Sequence, residues 1–497
     1  MSKVQYHRLE AYATPDGSNS MRRRAVRICL LLAIAVALKT GSSDSIAAAP
    51  ETLEGSRPNI LLIVADDMGY GDSTCYWDTD LKTPVIDGIA KAGIRFTEFR
   101  VNPLCAPTRA SILSGLYSLE TGMWRGPSAG RRAENDDDDA DIKSPSRERT
   151  LRQDVQLLPQ LLKQAGYATG MFGKWHLGYE PANSPNARGF DQFVGFLGGA
   201  HPYWLGRNSR ILHDEQPLNA TGHATDLFAD RAIEFIKANH EQPFFCYVPF
   251  NAVHGPLRSA ERDADSAKPD WLVKYEQAAV AQPRRDYCAV MSHADARIGD
   301  LLSTLRDLNL EQRTLVIFVS DNGGILHTYP ANNGPLRGGK GQTFEGGIRV
   351  PAVMQWPGVI PPGSVSHAGA VHFDLFSTVL DAAGITVPPV NGPYAVSGVS
   401  LLPHLRSGGT VPLPDRYIFW DLYGQVAALH GRWKMVGEIS NHHGRFDQAM
   451  HEAEMTPFAL YNLANDRGET TDVAEEFPEV YRDLKTRHLS WLSQFAK

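Results

Sequence analysis

Ile60-Leu61-Leu62-Ile63-Val64-Ala65 runs without a polar side chain and stops at Asp66-Asp67. A continuous apolar run of this length suits a strand buried on both faces, as in a parallel sheet. The same design recurs along the chain. Tyr167 to Phe172 leads into Gly173-Lys174-Trp175-His176, Phe244 to Phe250 leads to Asn251 and then His254, and Leu315 to Ser320 ends in Asp321-Asn322-Gly323-Gly324. Helical patterns lie between these runs, at Leu157 to Ala165, Asp226 to Ala238 and Tyr287 to Leu308. Strands alternating with helices predict an α/β fold, a large central, mostly parallel sheet flanked by helices. In open α/β sheets, ligands bind beyond the carboxyl ends of the strands. The polar residues that close the runs are therefore expected on one rim, provided the strands are neighbours.

Pro388 to Pro393 and Ser407 to Pro414 are rich in Pro and Gly and mark loops or a boundary. Beyond them come strand-like pieces at Tyr417 to Leu422, Val426 to His430, Trp433 to Val436 and Phe458 to Leu463, then a helical stretch, Glu479 to Phe495. This predicts a smaller C-terminal α+β subdomain with an antiparallel sheet over 411–497, after a main domain over 50–410. Residues 1–49 read as an N-terminal extension and a signal peptide. Met21-Arg22-Arg23-Arg24 is a basic start, Ile28 to Leu38 is apolar, and Ala47-Ala48-Ala49 suits cleavage. Export to the periplasm or the medium is expected, with no stable membrane span after processing, since the apolar run is too short.

The 497 residues carry a net charge of −7 and no extended basic stripe, so nucleic-acid binding has no electrostatic support. Five cysteines without a CxxC pair make no disulfide framework, and Cys75, Cys246 and Cys288 show no readable pairing. Asp136-Asp137-Asp138-Asp139, within the charged stretch from Gly126 to Arg149, reads as part of a solvated loop, because it lacks the ligand spacing of an EF-hand.

Leu104-Cys105-Ala106-Pro107-Thr108-Arg109-Ala110-Ser111 carries the chemistry. Pro107 suits the first turn of a helix and Gly115 its stop. Cys105 then sits at the positive end of the helix dipole with Arg109 on the same face, a setting for an anion. Asp66, Asp67, Asp321 and Asn322 are hard oxygen ligands that suit calcium or magnesium rather than zinc or copper. Lys174 and Lys340 add cations, and His176 and His254 add groups that exchange protons near neutral pH. Gly338-Gly339-Lys340-Gly341 falls short of a P-loop, because Gly341 replaces the metal-binding hydroxyl and no buried strand precedes it.

At these residues the chain resembles the formylglycine-dependent sulfatases, the arylsulfatase type of the alkaline-phosphatase-like superfamily. Cys105-Ala-Pro-Thr-Arg109 matches the family's Cys-x-Pro-x-Arg maturation signature, and Gly173-Lys-Trp-His-Leu-Gly178 matches its second motif. The likeness runs from about Pro58 to Gly468-Glu469-Thr470, and His254-Gly-Pro-Leu257 is similar to arylsulfatase-B-like members. The resemblance implies that a formylglycine-generating or other sulfatase-maturing enzyme oxidises Cys105 to formylglycine. It implies that Asp66, Asp67, Asp321 and Asn322 hold one calcium ion, calcium ahead of magnesium, with the residue made from Cys105 as a further ligand. Arg109 and Lys174 would stabilise the formylglycine hydrate and His176 would hydrogen-bond it. His254 and Lys340 would bind the sulfate ester and assist the leaving oxygen.

The hydrate suits sulfate transfer because it has two hydroxyls on one carbon. One attacks sulfur and displaces the alcohol. The other then gives up its proton, to His176, and expels sulfate as the aldehyde reforms. The expected substrate is a sulfated carbohydrate or aryl sulfate, with His201, Tyr203, Trp204, Arg207, His327 and Arg337 in loops placed to line its subsite. The rival readings are a phosphatase or phosphodiesterase of the same superfamily, and an unmatured glycan-binding protein that keeps the Cys105 thiol.

Overall fold

The apolar runs become neighbours in a sheet of ten strands. In the computed structural model these are β1 (Asn59–Ala65), β2 (Ile94–Phe96), β3 (Ala168–Lys174), β4 (Gln192–Phe196), β5 (Leu212–His213), β6 (Gln216–Pro217), β7 (Phe244–Pro249), β8 (Thr314–Ser320), β9 (Ala352–Gln355) and β10 (Ser364–Ser366). Their order across the sheet is β10-β2-β9-β8-β1-β7-β3-β4-β5-β6. The central strands β8, β1, β7, β3 and β4 are all parallel, and antiparallel strands flank them on both sides. The structure describes residues 57–127, 150–206, 209–259, 262–327, 330–387, 395–422, 424–439 and 457–495. The segment read as a signal peptide, the Asp136–Asp139 run and Arg207 lie outside them.

Parallel strands need cover on both faces, and β1 shows how the sequence supplies it. Leu61 and Ile63 point into one core, Ile60, Leu62 and Val64 into the other. The first core is closed by α1 (Pro84–Ala92) and by α4 (Ala224–Ala238) and α5 (Arg284–Asp307), through residues such as Ile86, Phe228 and Leu301. The second is closed by α2 (Cys105–Ser114), α3 (Leu158–Gln164) and α7 (Asp374–Ala382), through Ile112, Leu162 and Val379. The short helix α6 (Glu345–Ile348) precedes β9.

The C-terminal strands β11 (Tyr417–Leu422), β12 (Gln425–His430), β13 (Trp433–Glu438) and β14 (Ala459–Asn462) form an antiparallel meander. Its alternating faces are both apolar. One holds α8 (Pro478–Ser493) through Met435, Leu484 and Leu492, and the other packs Ala427, Leu429 and Val436 with Ile348 and Phe373 of the main body. Trp420 Nε1 seals that contact by donating to the Val101 carbonyl at 2.8 Å.

Leu62 is fully buried between its register partners Tyr247 and Ile317. Leu62→Ala is expected to cost about 2–5 kcal/mol, the range for a large-to-small change in a close-packed core. The denaturant midpoint measured by circular dichroism checks it.

Candidate active site

The register of β1 against β8 sets the site. Ala65 pairs with Ser320, so the chain leaves both strands side by side, Asp66-Asp67 next to Asp321-Asn322. Asp321 N–H donates to the Ala65 carbonyl at 3.0 Å and Asp67 N–H to Asp321 Oδ1 at 3.3 Å. Asp67 turns in the left-handed region, φ 67°, which Asp tolerates better than most residues. Carboxylate oxygens of Asp66, Asp67 and Asp321 lie within 4.8 Å of one another, all buried.

Such crowding demands positive charge, and three separate elements bring it. Lys174, the last residue of β3, places Nζ 2.7 Å from Asp66 Oδ2. Arg109, one turn into α2, donates Nε and one terminal nitrogen to Asp321 Oδ2 at 2.9 and 2.7 Å, and its other terminal nitrogen to the Lys174 carbonyl at 3.0 Å. Lys340 reaches Asp67 at 3.0 Å. The close passage of β3 depends on Gly173, with φ 139°, where a Cβ would lie 2.1 Å from the Pro249 carbonyl oxygen.

Cys105 opens α2, with Leu104 as its extended N-cap and Gly115 closing it in the left-handed conformation. Burial, with Asp66 and Asp321 nearby, pushes its thiol up to about 11. The helix dipole and Arg109 therefore do not make it a thiolate, and the soft sulfur stays protonated among hard oxygens. Its Sγ lies within 4.8 Å of ligand atoms of Asp66 and His254.

His254 follows β7. Its Nδ1 donates to the Gly255 carbonyl at 2.6 Å, since a carbonyl oxygen only accepts, and Nε2 stands 3.8 Å from Asp67 Oδ2. Burial and Lys340 push the imidazole down to about 4, so at neutral pH Nε2 is an acceptor. Burial, Lys174 and Arg109 hold His176 well below its ordinary value too. Gly126 and Gly199 leave the His176 ring room, for a Cβ on either would sit 3.0 or 2.7 Å from its Nε2.

The donor set fits a divalent cation. Asp66 Oδ1 and Asn322 Oδ1 are buried without a hydrogen-bond partner, a costly state for polar oxygens. Asn322 Nδ2 donates to Asp67 Oδ1 at 2.7 Å and to the Gly323 carbonyl at 2.9 Å, which leaves Oδ1 as the atom for an ion. Burial and Asp66 hold the Asp321 carboxyl up at about 7 even beside Arg109, whereas Lys340, His254 and Asn322 overcome burial and hold Asp67 down to about 2. Another cluster of metal-type residues, His223, Asp226 and His293, is already paired. His223 accepts from Thr225 N–H and donates to the Ser266 carbonyl, while Asp226 holds His293 and Lys268.

The expected site residues thus meet on one rim. The subsite expectations fare differently. Tyr203 does not line a cleft, because it is 1% exposed and its hydroxyl faces the Asn251 and His254 carbonyls at 2.8 and 3.0 Å. It braces the turn that carries His254. His201 is buried as well. Trp204 is 40% exposed and His327 is exposed, as a rim residue would be. Arg337 spends one nitrogen on Tyr461 Oη and the Glu469 carbonyl. Sequence reasoning missed Asp72, which is fully buried and accepts from Gly69 N–H, Asn332 N–H and Tyr287 Oη while pairing with Arg284. The five-residue step from Asp67, set among glycines at 69 and 71, was its only trace.

Comparison with known proteins decides the family. Residues 58–385 match the model of the Sulfatase family. The chain belongs to the sulfatase family. The N-acetylgalactosamine-6-sulfatase of Canis lupus familiaris is 35% identical over 386 residues, covering 73% of this chain and 68% of that protein. Arylsulfatase A of Homo sapiens is 31% identical over 491 residues, covering 87% of each chain. Among solved structures, Ps i-CgsB in complex with k-i-k-neocarrahexaose superposes with a TM-score of 0.74 at 29% identity, covering 88% of this chain and 93% of that one. Sulfatases are sulfuric ester hydrolases, and the family generally works with a formylglycine and a divalent metal.

Calcium or magnesium titrated into the metal-free protein is expected to raise its melting temperature. At a hundredfold excess over Kd the gain is about 2.7 kcal/mol for an ion that binds only the folded state. Asn322→Leu, which removes one orphaned oxygen, is expected to lose most of that gain in the same calorimetric measurement.

Proposed function

We propose that this chain removes sulfate from a sulfated carbohydrate or an aryl sulfate, with formylglycine made from Cys105 as its nucleophile. The observation that carries this reading is the position of Cys105, a buried, protonated thiol held beside Asp66 and His254 in a site of hard oxygens and cations. Asp66, Asp67, Asp321 and Asn322 are the residues to hold a calcium ion, with the residue made from Cys105 beside them. A bound ion would polarise the nucleophile and stabilise charge on the sulfuryl oxygens, and a formylglycine hydrate would supply one hydroxyl for attack and a second for release.

The chain's own residues do the rest. Arg109 and Lys174 balance the carboxylates and orient the modified side chain. His176, neutral at working pH, accepts the proton as sulfate is released. His254, whose Nδ1–H is held by the Gly255 carbonyl, offers a neutral Nε2 that accepts from a substrate hydroxyl or a water beside the ester. Lys340 binds a sulfuryl oxygen and is the proton donor to the leaving oxygen. Trp204 and His327 are suited to the sugar rim. The sulfated substrates in the names of similar proteins, N-acetylgalactosamine-6-sulfatase among them, support a carbohydrate ester. The pattern from Met21 to Ala49 supports an exported protein, and the Cys-x-Pro-x-Arg stretch supports a maturing enzyme as partner. Among the described residues no helix is long and apolar enough to cross a membrane.

Cys105→Ser is expected to abolish multiple turnover on sulfate esters. Mass spectrometry of the tryptic peptide spanning Cys105, from protein made beside a maturing enzyme, is expected to show the thiol carbon converted to an aldehyde, with sulfur exchanged for oxygen and two hydrogens lost. An unmodified thiol in fully active protein would overturn the reading, and a stable thiol in inactive protein would favour a glycan-binding role. Faster hydrolysis of phosphate diesters than of any sulfate ester would favour the phosphodiesterase alternative.

The pH profile follows from the imidazoles. Both are depressed below 6.5, so their working neutral forms persist as pH falls through 6. With calcium saturating, the acid limb of kcat/KM is expected below pH 6, in steady-state assays across pH 4–8. A limb centred at 6.5 or above would contradict neutral His176 and His254.

A further inference from the structure

Lys340 lies on a loop that the C-terminal sheet touches. Residues 337–342 rest directly on the first turn of α6, which two glycines make possible. A Cβ at Gly346 would lie 2.2 Å from the Gly338 carbonyl oxygen, and one at Gly347 would lie 2.0 Å from that of Gln342. Gly346 N–H donates to the Arg337 carbonyl at 2.8 Å. Glu345, the first residue of α6, is therefore the anchor under the Lys340 loop.

Glu345 is fully buried, and buried charges stand on all sides of it. Arg100 donates to its two oxygens at 2.8 to 3.1 Å, and Arg349 lies 3.3 Å away. The rest comes from the C-terminal sheet and the loop after it. Lys434 of β13 places Nζ 3.0 Å from Glu345 Oε1 and 2.8 Å from Glu469 Oε1. Glu469 Oε2 accepts the Glu345 backbone N–H at 2.6 Å, and the Glu469 carbonyl accepts from Arg337 at 2.8 Å. Gln425, at the start of β12, donates Nε2 to the Gly341 carbonyl at 3.3 Å. Replacing such a network by apolar residues of similar size often leaves stability unharmed, so stability alone does not explain it.

We propose that the C-terminal sheet sets the position of Lys340, with Lys434, Glu469 and Gln425 as positioning residues for departure of the alcohol. The inference rests on the assignment of Lys340 as proton donor. In that step the bond from sulfur to the bridging oxygen breaks, and its electron pair stays on the oxygen. That oxygen takes a proton from Lys340 Nζ, and Lys340 regains one from water. An unactivated sugar hydroxyl needs this proton, whereas a phenol with an acidic leaving oxygen departs without it.

The test compares kcat/KM for 4-nitrophenyl sulfate with kcat/KM for a sulfated monosaccharide, using matured full-length enzyme. Lys340→Ala is the reference and should raise the aryl-to-sugar ratio most. Lys434→Met and Glu469→Gln should raise the same ratio about tenfold, part of the roughly 10²–10⁴-fold that a positioned proton donor contributes. The ratio does not depend on how much of a variant folds. Gln425→Ala removes a single hydrogen bond to the loop and should raise the ratio in the same direction by a smaller factor, so the test stands even if the buried-charge variants do not fold. Equal losses on both substrates, or an unchanged ratio in Gln425→Ala and the folded buried-charge variants, would overturn the proposal. An unchanged ratio in Lys340→Ala would instead overturn the assignment of Lys340, and a wild type inactive on both esters would overturn the sulfatase reading itself.

Discussion

Asp66, Asp67 and Asp321 crowd their carboxylates within 4.8 Å where water does not reach. Like charges at that separation in a low dielectric repel by several kcal/mol, on the order given by Coulomb's law at an effective dielectric near 20. Each is met by a cation from a different part of the chain, Lys174 from a strand end, Arg109 from a helix and Lys340 from a loop. Neutralising the carboxylates thus fixes the distances between β1, β3, β8, α2 and the 337–342 loop. The fold holds the charges together, and the charges in turn hold the pieces of the fold in register.

Much of this was legible in the chain. The abrupt passage from apolar run to Asp-Asp, Lys-Trp-His or Asp-Asn-Gly-Gly marked strand ends, and β8, β1, β7 and β3 lie next to one another as a single rim requires. The C-terminal strands were legible for a different reason. Among the short runs set off by Gly and Pro, Tyr417 to Leu422 matches its strand to the residue, and the other three come within two residues of theirs. Periodicity and punctuation are local signals, and these elements are locally determined.

What escaped was set by tertiary contact. Tyr203 stands in a segment with the polar, aromatic look of a binding loop, yet its ring is buried and its hydroxyl serves two backbone carbonyls. Nothing in a one-dimensional pattern separates an aromatic that faces a ligand from one that props the turn behind it. Lys434 and Glu469 are similar. They are charged residues near polar neighbours, which ordinarily means a solvated face, and only the packing of the meander on Ile348 and Phe373 buries them.

The pairing of cations with carboxylates also shapes how a substrate approaches. Three cations set against three carboxylates, with two further positive charges once a divalent ion is bound, make a compact group whose field fades beyond a Debye length, about 8 Å at physiological ionic strength. A distant anion therefore senses the whole chain, whose net charge is −7, before it senses the rim. Long-range steering is repulsive and contact is attractive. Salt weakens both, but it relieves the repulsion at the distances where encounters begin. Capture of a sulfate ester thus depends less on electrostatic guidance than on the geometry waiting at the ends of four strands.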